Sequence, residues 1–88
     1  MSATYTPHPD VVFRRLEGRM VLVHMATNQV FELNLTGARI WELLEQGIGG
    51  EQLLQSLADE FDVDREQLRN EVSDILSDLV AENLVTKI

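Results

Sequence analysis

The apolar positions change period once along the chain, dividing it into a strand-forming block and a helix-forming block. Val11 to Leu16 reads as a first short strand, and Glu17-Gly18-Arg19 as a turn. Met20 to Met25 (MVLVHM) is a nearly all-apolar second strand, followed by a turn at Thr27-Asn28. Gln29 to Leu33 alternates with period two, which puts Phe31 and Leu33 on one face and Val30 and Glu32 on the other. Strands joined by turns this short can only form an antiparallel meander.

After Leu33 the spacing becomes helical. Ile40, Trp41, Leu44 and Ile48 recur at three and four residues, predicting a helix over about 36–46. Asn34 or Thr36 can cap its start, and Gly47, Gly49 and Gly50 end it. A second helix, about 51–61, stacks Leu53, Leu54, Leu57, Ala58 and Phe61. A third, about 65–83, opens on Asp64 with Gln67 three residues later, a capping-box spacing. Its stripe is Leu68, Val72, Ile75, Leu76, Leu79 and Val80, and Leu84 to Ile88 has the β-branched composition of a short terminal strand. Residues 1–10, with Pro7 and Pro9, are expected as a flexible N-terminal arm, and residues 11–88 as one domain. The fold class is α+β: an N-terminal three-stranded antiparallel sheet, then a three-helix bundle, winged-helix-like in outline.

At 88 residues and 44% hydrophobic, the chain holds one modest core, for which typical per-residue values give a stability of roughly 4–13 kcal/mol. It has no cysteine, so disulfide and thiolate chemistry are excluded. The N-terminus lacks a basic segment followed by an apolar one, and no apolar run is long enough for a membrane span. The expected location is cytoplasmic, away from membrane. The net charge of −8 is uneven: residues 1–50 carry four Arg against five acids, whereas residues 51–88 carry three cations against ten. An acidic half repels phosphate, and the third helix exposes Glu66, Glu71, Asp74, Asp78 and Glu82 against Arg65 and Arg69. A nucleic-acid partner is therefore not expected, even on a winged-helix shape.

Candidate chemistry is sparse. His8 falls in the arm and His24 on an apolar strand, a poor start for a metal site. The acidic run Asp59 to Glu66 lacks the glycine and closing glutamate of a calcium loop. Gly47-Ile48-Gly49-Gly50 lacks the spacing of a phosphate-binding loop and reads as a helix terminator. Asn34-Leu35-Thr36 has the form of a glycosylation sequon but reads as a helix start, and Trp41 as core. The expectation is a protein that is not an enzyme, with no metal and no cofactor. What remains is the strand edge. Gln29, Val30, Phe31, Glu32 and Leu33 close the meander, so their outer side is free to take an extended peptide as a further strand. If the third helix runs beside that strand, part of its stripe floors a groove; on periodicity alone, the whole stripe reads as core.

The segment Phe31 to Leu44, FELNLTGARIWELL, resembles the central signature of the PqqD family: an aromatic strand end, then L-N-x-T-G-x-x-I-W-x-L-L, then a glycine-containing turn. The later layout, through Phe61-Asp62-Val63-Asp64 to Leu84-Val85, is also similar. The resemblance implies a recognition element for RiPPs, the ribosomally made and later modified peptides. Such an element binds the leader of a precursor peptide as a strand between third strand and third helix, and presents it to a separate maturation enzyme, a leader protease or radical SAM enzyme. Carried onto this chain, it implies Gln29–Leu33 together with Arg69, Val72, Ser73, Leu76 and Leu79, with Val80 beside them. It leans towards the lasso-peptide type. The competing classes are a winged-helix DNA-binding regulator, which would show salt-sensitive DNA binding, and a purely structural oligomerisation module.

Overall fold

Two hairpin turns organise the sheet. The computed structural model describes residues 4–88. Its elements run β1 (Tyr5–Pro7), β2 (Val11–Leu16), β3 (Arg19–His24), β4 (Gln29–Leu33), α1 (Leu35–Glu45), α2 (Gly50–Glu60), α3 (Arg65–Ala81) and β5 (Val85–Lys87). The strands β2, β3 and β4 form an antiparallel sheet in that order. Gly18 has φ +72 in the β2–β3 loop, and Asn28 has φ 59 in the β3–β4 loop. Glycine and asparagine are the residues that enter this left-handed region most readily. The Asn28 N–H donates to the His24 carbonyl at 2.8 Å and closes the second turn.

The register decides which backbone groups are free. Leu16 faces Arg19 across a two-residue loop, and such a hairpin closes on a mutually hydrogen-bonded pair. Alternation then turns the backbone groups of Arg19, Val21 and Val23 towards β2, and those of Met20, Leu22 and His24 towards β4. The partners on β4 are Leu33, Phe31 and Gln29. Val30 and Glu32 therefore point their N–H and C=O groups away from the sheet.

The helices cover one face of that sheet. Met20, Leu22, Ile40, Trp41, Leu53, Leu54 and Leu57 are each 0% exposed and form the centre of the core. Phe13 meets Trp41 edge-on at 6.5 Å between ring centroids, and Arg39 ties α1 to α2 through Glu60 at 2.8 Å. The hydrogen bond to Glu60 is the chief cause that raises the Arg39 pKa above its ordinary value. Asn34, rather than Thr36, caps α1: its side chain accepts the Gly37 N–H at 2.9 Å. Asn34→Ala removes that acceptor and is expected to destabilise the fold by about 1 kcal/mol, read as a fall in Tm of roughly 4–8 °C.

Asp64 caps α3 by accepting the Gln67 N–H at 3.2 Å, but the Gln67 amide turns to Glu71 at 3.4 Å, so only half of the expected capping box forms. Both α1 and α3 end in the same double bond pattern. Ile48 N–H donates to Leu43 and Gly47 N–H to Leu44; Leu84 N–H donates to Leu79 and Asn83 N–H to Val80. Gly47 (φ 82) and Asn83 (φ 59) supply the left-handed residue each pattern needs. The second turn folds Leu84 back onto α3.

The expected flexible arm is corrected from Tyr5 onward; residues 1–3 lie outside the described residues. β1 pairs with β5, with Tyr5 opposite Lys87 and Pro7 opposite Val85. His8 N–H donates to the Leu84 carbonyl at 2.9 Å and Ile88 N–H to the Thr4 carbonyl at 2.8 Å. The physical reason is that β5 alone would leave its backbone unpaired next to buried Leu84 and Val85. The pairing also brings the two histidines into ring contact, 4.6 Å between centroids, with His24 3% exposed. No helix among the described residues is long and apolar enough to cross a membrane.

Candidate peptide-binding site

The free edge of β4 borders a cleft. Val30 is 66% exposed, while Phe31 and Leu33 turn inward and are half-buried. From β4 and the start of α1, Phe31, Glu32, Leu33, Asn34 and Gly37 line an open cleft of about 280 Å³. Across it stand Ile75, Asp78, Leu79 and Glu82 of α3, and Leu84 closes one side. The floor is apolar and the rim acidic. A Cβ built on Gly37 would lie 3.3 Å from the Leu33 Cβ, so glycine lets α1 start tight against the end of β4. Glu32 is loosely paired with Arg19 at 3.7 Å, with both side chains more than half exposed, an ion pair of small worth.

The structure brings together only part of the expected residue set. Gln29, Val30, Phe31, Glu32 and Leu33 form the edge, and the last three also line the cleft. Of the expected helix residues, Leu79 alone reaches it. Val72 and Leu76 are 0% and 1% exposed and belong to the core, so the expectation that they stand open in the free protein fails. The stripe Leu68–Val72–Leu76–Leu79 is buried in the core, where α3 packs against α2 and β5, and only its Leu79 end, with half-buried Ile75 beside it, reaches the cleft. Ser73 is exposed and lines no part of the cleft. Arg69 is spent on Glu51 at 3.2 Å. Val80 is half-buried outside the cleft.

Beyond the expected site residues, the cleft is lined by Ile75 of the apolar stripe and Asp78 of the acidic face, and by Glu82, Asn34, Gly37 and Leu84, which the sequence did not single out for the site. The available signal was Ile75 at the edge of the wide stripe, with positions 78, 79 and 82 stacked above it at helical spacing. Among the described residues no group of three or more His, Cys, Asp or Glu is arranged to hold a metal ion.

An unpaired strand edge beside an apolar cleft is the geometry of domains that accept an extended peptide as an added strand. The family model of coenzyme PQQ synthesis protein D (PqqD) matches residues 19–85, and the chain belongs to the PqqD family. Among solved structures, it is similar to TbiB1 in complex with the TbiA(beta) leader peptide, at 31% identity and a TM-score of 0.85, over 91% of this chain and 93% of that one. It is also similar in fold to lasso peptide synthetase B1 complexed with the leader peptide, at 21% identity and a TM-score of 0.84, over 96% and 99%. Comparison with curated protein sequences finds no match.

Proposed function

We propose that this protein is a recognition element for RiPP precursors, of the lasso-peptide type, working in the cytoplasm where such precursors are made. It takes the leader as a further strand on β4, with backbone bonds to Val30 and Glu32. Leader side chains facing inward sit over Phe31, Leu33, Ile75, Leu79 and Leu84. Val72 and Leu76 support that floor from behind. The bound leader is presented to a separate maturation enzyme, a leader protease or a radical SAM enzyme, while this chain itself performs no covalent step. The carrying observation is the outward-turned backbone of β4 next to the cleft, in a chain 31% identical to TbiB1, which was solved with a leader peptide.

The test is a titration with leader peptides of lasso precursors, the TbiA(beta) leader first, followed by amide NMR. The largest shifts are expected at Val30 and Glu32 and in α3 from Ile75 to Glu82. Shifts clustered elsewhere would disprove strand addition at this edge. In the same tube, without a partner enzyme, the peptide mass is expected to stay unchanged over hours; cleavage or modification there would make the protein an enzyme.

A further inference from the structure

Behind the leader cleft, the end of β1 joins the two walls at one residue. The His8 N–H donates to the Leu84 carbonyl at 2.9 Å, and Leu84 continues the α3 wall of the cleft. The His8 ring lies against His24, 4.6 Å between centroids, and His24 is the ladder partner of Gln29 at the start of β4. The Asp10 N–H donates to His8 Nδ1 at 3.0 Å and sets the ring. His24 is buried and its Nδ1 has no hydrogen-bond partner among the described residues, so the two rings meet by packing. The backbone of His8 thus holds one wall and its side chain the other. β1 and β5 are three residues each and pair only with one another. A two-stranded sheet of that size is marginal in water, so it opens more readily than the core beneath it.

We propose that β1 is a strap whose closure on β5 sets the spacing of the groove walls, with His8 as its positioning residue, and that leader occupancy and strap closure reinforce each other. The inference rests on the leader-binding reading and adds what holds the groove in its binding shape. With β1 open, the Leu84 carbonyl loses its donor and the His24 ring its cover, so the walls are no longer tied at that end. A leader packed on Leu84 and paired to β4 spans the same two walls from the front, and therefore favours the closed state. Coupling of this kind is reciprocal. The factor by which opening weakens leader binding equals the factor by which bound leader suppresses opening.

The probe is the TbiA(beta) leader. The bonds at His8–Leu84 and Thr4–Ile88 alternate with the pair Thr6–Thr86, so Thr6 turns its N–H towards β5 while its side chain is exposed. Thr6→Pro removes that donor and opens the strap without touching the core. Leader affinity of the folded variant is expected to fall about three- to tenfold, the scale of one net hydrogen bond, with Thr6→Val as the control that keeps the donor. His8→Ala is expected to give a loss of the same order, and His8→Phe, which keeps a ring against His24, to recover most of it. In the unmodified protein, saturating leader is expected to slow hydrogen exchange of the His8 and Ile88 amides by that same factor. The Phe61 amide, which bonds to Leu57 at the end of α2 and lines no part of the cleft, is expected to exchange as before.

Unchanged affinity in folded Thr6→Pro protein, a His8→Phe protein no better than His8→Ala, or exchange at His8 and Ile88 that ignores the leader would overturn the strap and leave the leader-binding reading standing. The exchange measurement needs no variant, so it decides the matter even where Thr6→Pro fails to fold. If the unmodified protein binds neither this leader nor those of other lasso precursors, the leader-binding reading itself falls, and the strap with it.

Discussion

Trp41→Ala is expected to remove a large share of the stability of the fold. The indole is 0% exposed, on the face of α1 that meets the sheet, with Phe13 edge-on against it. Truncating a buried tryptophan typically destabilises by about 3–5 kcal/mol, through lost burial and the cavity left behind. A domain of this length holds only about 4–13 kcal/mol in total. In a thermal melt followed by circular dichroism the fall in Tm should be roughly 15–30 °C; a fall below about 5 °C would show that Trp41 is not the centre of the core.

The same experiment sorts α3. Val72→Ala and Leu76→Ala remove residues that are 0% and 1% exposed and should also destabilise by about 2–5 kcal/mol. Ile75→Ala removes a half-buried side chain at the cleft, with a smaller expected loss of about 1 kcal/mol. Its main effect should be on leader affinity. If Ile75→Ala leaves affinity untouched in folded protein, the cleft is not where the leader side chains sit.

The contrast between Ile75 and Val72 marks where sequence reasoning stops. Apolar runs bounded by turn residues, one alternating strand and three helical stripes made the meander and the three helices readable, and the bounds of β2 and β4 agree residue for residue with those read from the sequence. The phase of α3 was not readable. Its apolar stripe is wide, so a period alone cannot separate residues facing α1 and α2 from one facing β4; that depends on how the helix is rotated in the bundle. The pairing of β1 with β5 was hidden for a different reason. Three residues containing a proline carry almost no strand signal, and their partner lies at the far end of the chain. The contact between His8 and His24 follows from that pairing and was equally hidden.

Asn34, one of the two caps the sequence offered, and Gly37, inside the expected first helix, have a second role at the site. The cap fixes where α1 leaves β4, and the missing Cβ allows that departure at close range; both residues then line the cleft. In the L-N-x-T-G string, building the helix start and shaping the groove are one act. Asn83 does the matching job at the other end. Its left-handed backbone lets Leu84 turn back against Leu79, which completes the apolar floor.

The second large effect is expected from Val30→Pro. The ladder register turns the Val30 N–H away from β3, so proline there removes no hydrogen bond from the sheet. The side chain is 66% exposed, so no core packing is lost either. Stability should change by less than about 1 kcal/mol, as edge strands tolerate proline on the open side. Binding should suffer more. The substitution deletes one of the donors available to an added strand and sets a pyrrolidine ring against the incoming backbone, which also disturbs the neighbouring bond at Glu32.

A single hydrogen bond is worth about 0.5–1.5 kcal/mol net, and the steric clash adds to it, so the loss of leader affinity should be tenfold or more. Calorimetric titration of folded Val30→Pro protein measures this directly, with Val30→Thr as the control that keeps the donor and the β-branched shape. Thr should bind nearly as the parent does. Should Pro and Thr bind the leader equally well, the peptide does not add to this edge, whatever else the cleft contacts.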